Sequence, residues 1–370
     1  MNTEHVIVHK TPHLYSSHPC ITELVNGEWL VAFNQSTNRE PFLHPPADPH
    51  HVNLVTRSVD RGRSWSAPQI APDFAWQGME NPGIAQLANG DVLLNQWKFT
   101  WIPRDEAYRR WCEGRRGLFV CPDAGEGRHE WLPAQTQDDW TTHAFPYVRS
   151  DGGAYVQISH DNGHTWRETV PVNVDPYQGA FSPKGAVQLA DGAVLLALGS
   201  HDYDPLHSSF VVRSTDNGRT WKPPVEAARR DGCDFCEPSI TQTPTGRIVC
   251  MSRDEKSGYI HQSDSTDNGE TWSPARRLQI WGYPTHIITL TDGRLLIIYG
   301  HRRPPFAIKA CLSDDDGATW SAPFTIRDLP NLNLGYPSVV EYAPRRLFAV
   351  YYGEDDDGVT CVQGTYFDLD

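Results

Sequence analysis

The chain has 370 residues, of which 39% are hydrophobic and 21% charged, and a formal net charge of -14 at pH 7. That composition excludes a disordered protein, and a field of that sign disfavours nucleic acid and anionic membrane surfaces as partners. No apolar run approaches the roughly 18 residues that a membrane helix needs. Met1 to Lys10 lacks the apolar core and small-residue cleavage site of a secretory signal, so a cytoplasmic location is expected.

Twenty-nine glycines, 29 prolines and 13 tryptophans against three methionines point to many short strands joined by tight turns. From the N-terminus, His5 to His9 reads as a short strand. At Pro19 a pattern begins: a proline, an apolar stretch, the turn glycine Gly27, and a second apolar stretch. It recurs from Pro82 with Gly90, Pro183 with Gly192, Pro238 with Gly246 and Pro284 with Gly293. A last copy starts at Pro337, where Arg345-Arg346 stands near the turn. Runs such as Val92-Leu93-Leu94 and Leu295-Leu296-Ile297-Ile298 read as buried strands.

Five of these units are followed by an octapeptide of the form S-x-D-x-G-x-[ST]-W, at Ser58–Trp65, Ser159–Trp166, Ser214–Trp221, Ser265–Trp272 and Ser313–Trp320. The Ser and Asp side chains can bond nearby backbone N–H groups. The Gly supplies a positive φ, and the Trp packs under the turn. Each copy is therefore a turn and not an active site. The gap between the first two copies is about twice the others, which places an insertion near residues 100–145 in the second unit and a shorter one in the first. Length alone suggests two or three domains, but small units of a few strands each cannot bury both faces alone. Radial stacking solves that, so residues 1–370 are expected to form one all-β domain, a six-bladed β-propeller. The Pro-led strands lie nearest the axis, and His5 to His9 joins the last unit to close the ring.

In such a ring, the axial mouth is lined by residues before the inner strands and after the second strands. The first group is His18, Glu80, Asn81, Ser182, Glu237, Tyr283 and Tyr336. The second is Asn34, Gln35, Trp97, His201, Arg253, Asp254, Arg302, Arg303 and Tyr352. A purely structural ring does not need so polar and aromatic a set. Of the eight cysteines, Cys233 and Cys236 form a single CxxC with no second pair, so buried thiols are expected, and no metal or cofactor.

The octapeptides resemble the Asp boxes, or BNR repeats, of the sialidase (neuraminidase) superfamily, and the resemblance runs from Pro19 to Tyr352. It implies a six-bladed propeller with an axial active site. It also implies a Tyr nucleophile paired with a Glu, an Asp acid/base, and three arginines holding the sugar carboxylate. Leu334-Gly335-Tyr336-Pro337-Ser338 is similar to the family's nucleophile segment and Glu237-Pro238-Ser239 to its Glu segment. Met251-Ser252-Arg253 resembles the stretch ending in the second arginine, and Arg302-Arg303 lies near the third. Asp48 stands in the loop of the acid/base. The implied catalytic set is Tyr336, Glu237 and Asp48. The implied substrate-binding set is Arg253, Arg302 and Arg303, with His18, His50, Glu80 and His286 at the mouth. The family's first-blade arginine is absent, since Ser17-His18-Pro19 occupies its place. An arginine of the insertion is a candidate substitute, and Trp101, Trp111, Trp131 and Trp140 are candidates to stack on sugars.

The implied function is an exo-acting glycoside hydrolase that releases a terminal acidic sugar, sialic acid or a related nonulosonic or uronic sugar. Two alternatives stay open: a polysaccharide lyase or unusual hydrolase using a His/Tyr site on uronate-containing glycans, and a glycan-binding propeller without catalysis. The expected partner is a glycan, and the sequence leaves the oligomeric state open.

Overall fold

The computed structural model describes residues 2–38, 48, 50–72, 77–122, 131–177, 179–200 and 207–369, leaving aside the side chains of 77–80 and 151. The chain is all-β, with its sheets in a propeller arrangement. Five sheets are regular four-stranded antiparallel blades. The first comprises Leu14–Glu23, Trp29–Thr37, Val52–Ser58 and Gln69–Ile70. Three more follow the same order: from Val187–Gln188 to Val225–Ala228, from Phe235–Gln242 to Arg276–Trp281, and from Thr285–Thr289 to Phe324–Asp328. In the last, Leu334–Ala343, Arg346–Glu354 and Thr360–Asp368 are joined by the N-terminal Thr3–His9, which pairs with Thr360–Asp368. The N-terminal strand thus closes the ring as its sequence suggested.

The remaining sheet, between the first blade and the one that starts at Val187, departs from the pattern. Its strands Gln77–Gln86, Val92–Pro103 and Tyr147–Ser159 are extended by Leu118–Val120 and Leu132–Pro133, and Glu168–Val172 pairs with the later part of Tyr147–Ser159 along the same edge as Leu118–Val120. The insertion near residues 100–145 belongs to this sheet. It carries helices Arg104–Cys112 and Gln137–Thr141. Its tryptophans do not stand ready for sugars: Trp101, Trp131 and Trp140 are buried, and Trp111 packs against the same small cores. Its described helix arginines are engaged within the insertion, and Arg128 lies outside the described residues. Arg109 and Arg110 pair with Glu106 on the helix surface, and Arg104 donates to the carbonyls of Trp140 and His143. An insertion of this size has its own apolar residues to bury, and these consume the aromatic side chains.

Each Asp box begins at the last residue of the third strand of its sheet. In the Ser265 copy, Ser265 Oγ donates to Asp267 Oδ1 at 2.8 Å and accepts the Gly269 N–H at 2.9 Å. Thr271 donates its N–H and hydroxyl to the two oxygens of Asp267 at 2.9 and 2.5 Å. These hydrogen bonds, the Thr271 hydroxyl first, hold the Asp267 carboxyl down to about 2. The residue before each box glycine is left-handed as well, from Arg61 at φ 56° to Asp316 at φ 61°. In three of the boxes its carbonyl meets a donor of the preceding blade. Arg57 Nη2 donates to Asn162 O at 2.6 Å, Arg213 Nη1 to Asn268 O at 2.9 Å, and Tyr366 Oη to Arg61 O at 2.5 Å. The boxes therefore fasten neighbouring sheets together, and the Tyr366 contact fastens the last to the first.

Gly62 and Gly90 separate the two demands on a turn glycine. Both have positive φ, but a Cβ on Gly90 meets nothing, whereas one on Gly62 would lie 2.8 Å from Tyr366 Oη and 2.9 Å from the Trp29 ring. Gly90→Ala should cost about 1–2 kcal/mol through backbone strain alone. Gly62→Ala should cost a further ~1–3 kcal/mol through overpacking. Urea denaturation of the two variants checks the difference.

Candidate active site

Four of the six inner strands carry the same irregularity. The antiparallel register slips between Ser17 and Cys20, Glu80 and Gly83, Cys236 and Ser239, and Gly335 and Ser338. The first skipped residue is in each case left-handed and directly precedes a proline: His18 (φ 53°), Asn81 (φ 49°), Glu237 (φ 49°) and Tyr336 (φ 51°). A bulge of this kind re-aims one side chain out of the pleat. The conformation costs an L-residue roughly 1–3 kcal/mol and clusters at functional sites. All four side chains belong to the set predicted for the mouth. His18, Asn81, Glu237 and Tyr336 are buried.

Two of these residues meet. Tyr336 Oη donates a hydrogen bond to Glu237 Oε1. The other oxygen, Oε2, accepts Arg253 Nη1 at 2.7 Å, and Arg253 Nη2 donates to Glu255 Oε1 at 2.7 Å. The phenol–carboxylate–guanidinium chain thus links two sheets. Burial, and after it the Glu237 carboxylate, hold the Tyr336 phenol well above its ordinary pKa, while Arg253 and Arg302 pull the other way. At rest the proton belongs to the phenol, and Glu237 is its acceptor. Burial opposes the Arg253 charge, but Glu237 in the first place outweighs it and keeps the guanidinium protonated.

The surrounding side chains are cationic and aromatic. Arg302 donates from Nε to Leu334 O at 2.7 Å and from Nη2 to Tyr352 Oη at 3.0 Å, and its guanidinium lies 5.7 Å from the Tyr336 ring centre. Tyr283 has Arg253 at 4.0 Å and Arg302 at 5.4 Å from its ring centre, so one aromatic ring orients both cations. The His18 ring centre lies 3.8 Å from that of Tyr336, edge to face, and its Nδ1 is 2.7 Å from Ser17 Oγ. Tyr15 and Tyr352 complete an apolar wall beside Tyr336.

Other predicted residues lie elsewhere. Arg303 is exposed and stacks on Trp281 at 3.7 Å, so of the Arg302-Arg303 pair it is Arg302 that reaches Tyr336. His286 points into the axial channel, where its Nδ1 accepts the Val339 N–H at 3.0 Å. Burial, and then Lys184, hold its pKa well below the ordinary value, so it is a neutral ring fixed between inner strands and not a mouth residue. Asp48 is buried and accepts the His50 N–H at 2.8 Å. His50 itself projects outward, with its Nδ1 3.3 Å from Asp48 Oδ1. The contacts described for Asp48 run to this His50–His51 segment and not to the Tyr336–Glu237 pair. Glu80 pairs with Trp97 across the second sheet, and its side chain lies outside the described residues, as does His201.

Three participants carried little or no signal in the sequence. Glu255 follows Arg253 by two residues with nothing to mark it. Tyr283 stands before a proline as Tyr336 does, which marked it only as one of a set. Lys184 is the third. An axial channel of about 270 Å³ continues from the site, lined by Cys20, Lys184, Ser239 and His286 among others. The Lys184 ammonium donates to Pro337 O at 2.6 Å, next to Tyr336, and so supports the bulge from across the axis.

This geometry defines an Asp-box propeller that carries a buried phenol–carboxylate–guanidinium site. A 25% identical relative over 264 residues is a sialidase of Micromonospora viridifaciens, the alignment spanning 69% of this chain and 35% of the relative. The chain thus spans about a third of that protein's length. Residues 123–344, more than half of the chain, match the BNR repeat-like domain family, and the chain belongs to that family. Among solved structures, a Dyadobacter fermentans protein of unknown function superposes with a TM-score of 0.82 at 22% identity, covering 99% of this chain and 98% of that one. The NanB sialidase of Streptococcus pneumoniae superposes with a TM-score of 0.67 at 14% identity, over 98% of this chain and 70% of its own. Both likenesses concern the fold.

Burial pulls the Lys184 pKa from 10.5 down to about 8, against Cys20 and Glu237, which raise it. Between those values the unfolded chain holds more protons than the folded one, so this group makes stability rise with pH across that window. Lys184→Met should remove that rise. From pH 7 to pH 10 wild type should gain stability relative to the variant, by at most about 3 kcal/mol, as read from urea midpoints at the two pH values.

Proposed function

We propose that the protein is a glycoside hydrolase that releases a terminal acidic sugar, with Tyr336 as nucleophile. The observation that carries this reading is the hydrogen-bonded chain Tyr336–Glu237–Arg253. Tyr336 Oη attacks the anomeric carbon as its proton passes to Glu237 Oε1. The glycosidic C–O bond breaks, and Asp48 delivers a proton to the leaving oxygen. Water then attacks the same carbon, Asp48 takes its proton, the tyrosyl C–O bond breaks, and Glu237 returns the proton to Tyr336. Two displacements retain the anomeric configuration. A phenol suits a sugar whose anomeric carbon bears a carboxylate, because a neutral nucleophile is repelled less than a carboxylate would be. Arg302 and Arg253 hold that carboxylate. In this reading the enlarged second sheet counts as a blade, giving six around one axis in a single domain.

A second reading rests on His18 beside Tyr336. There the two residues form the acid and base of a lyase acting next to a uronate. The products separate the two. Purified protein is incubated with α-sialosides and uronate-capped oligosaccharides, and the products are analysed by mass spectrometry. A released saturated acidic sugar is expected, whereas an unsaturated uronate product would establish the lyase. Glu237→Gln should lower kcat by about 10²–10⁴-fold, and Tyr336→Phe should abolish hydrolysis. Full turnover by Tyr336→Phe would remove Tyr336 as nucleophile.

A further inference from the structure

The blade that begins with Phe235–Gln242 carries a side-chain cluster that no spacing in the sequence announces. Cys233 lies in the turn before strand Phe235–Gln242, Asp254 is the last residue of Ile248–Asp254, and His261 lies within Tyr259–Ser265. One ligand atom from each falls within 4.8 Å of the other two. Asp254 and His261 are buried, and Cys233 is half-buried.

We propose that Cys233, Asp254 and His261 form a zinc site. A thiolate, an imidazole and a carboxylate are the three donor types that Zn²⁺ accepts together. Three protein ligands leave the fourth tetrahedral position to water on the open, Cys233 side. The supporting contacts are those that orient metal ligands elsewhere. Asp254 Oδ1 accepts the Asp234 N–H at 2.9 Å, and Oδ2 accepts the Ser257 hydroxyl at 2.5 Å. His261 Nδ1 faces the Tyr259 carbonyl at 3.4 Å, and Phe235 holds the ring edge to face with centres 4.9 Å apart. The location gives the ion a task. Asp254 directly follows Arg253, and Cys233 precedes Glu237 by four residues, so one ion ties together the two strand ends that present this ion pair.

The test needs no substrate and is independent of the glycosidase reading. Full-length protein is stripped with a chelator and titrated with Co²⁺ alone under reducing conditions. A single equivalent should produce a thiolate-to-cobalt charge-transfer band in the near ultraviolet and the intense visible bands of four-coordinate cobalt. Zn²⁺ should displace them. Cys233→Ser should lose the charge-transfer band, while Cys236→Ser and Cys112→Ser should keep it. Ser257→Ala, which removes a support of Asp254 and no ligand, should weaken cobalt affinity about 10–100-fold. Absence of the band in the unmodified protein overturns the proposal whatever the variants do. So does a band that survives Cys233→Ser.

Discussion

Four side chains stand in a backbone conformation that L-residues avoid, each directly before a proline, and the mouth of the ring depends on this constraint. Proline crowds the residue before it out of the right-handed helical region, and the pleat of a strand would send that residue's side chain into a sheet face. Turning His18, Asn81, Glu237 and Tyr336 left-handed takes them out of the ladder. The strain, roughly 1–3 kcal/mol at each, persists because the surroundings are rigid. The Lys184 ammonium holds the carbonyl of Pro337 at 2.6 Å, and Gly83 lies against the Lys184 backbone with no room for a side chain. The closeness of the inner strands at the axis and the strain of the bulges are one arrangement seen from two sides.

The outer turns supply that rigidity. An Asp box alone is a local motif, four hydrogen bonds closing one turn. Its consequence is tertiary: in three of the boxes the left-handed residue before the glycine offers a carbonyl to the neighbouring sheet, and an arginine or tyrosine there takes it up. Since Tyr366 makes this contact to Arg61, the ring is held by side-chain hydrogen bonds as well as by the pairing of Thr3–His9 with Thr360–Asp368. Packing between sheets is apolar and non-directional. The directional contacts at the rim restrict how one sheet turns against the next.

Charge in the site is arranged in alternation. Arg253 lies between Glu237 and Glu255, and Glu237 lies between Arg253 and Tyr336. A buried ion pair is a weak source of stability, so its value here is positional. It fixes which oxygen of Glu237 faces the phenol. Arg302, bound to a carbonyl and a phenol and to no carboxylate in the contacts described, brings positive charge to the same place.

Repeat order, strand order and the place of the insertion were legible in the sequence, because each follows from local chemistry repeated along the chain: a glycine that must be left-handed, a proline that begins a strand, a box that closes a turn. Tyr336, Glu237 and Arg253 were legible for a related reason, since each stands at a fixed offset from such a landmark. Where the neighbour across the axis decides, the sequence was silent. Arg302 and Arg303 are adjacent, and only the packed ring turns one to Tyr336 and the other onto Trp281. His286 stands two residues past Pro284, inside its inner strand, and faces the channel. The insertion's tryptophans read as sugar platforms until their own core claimed them. The sequence by itself determined the turns and strands, whose energetics are settled within a few residues. The tertiary structure alone decided which side chains meet, because strands far apart in the chain converge on one axis and their proximity there is set by sheet packing.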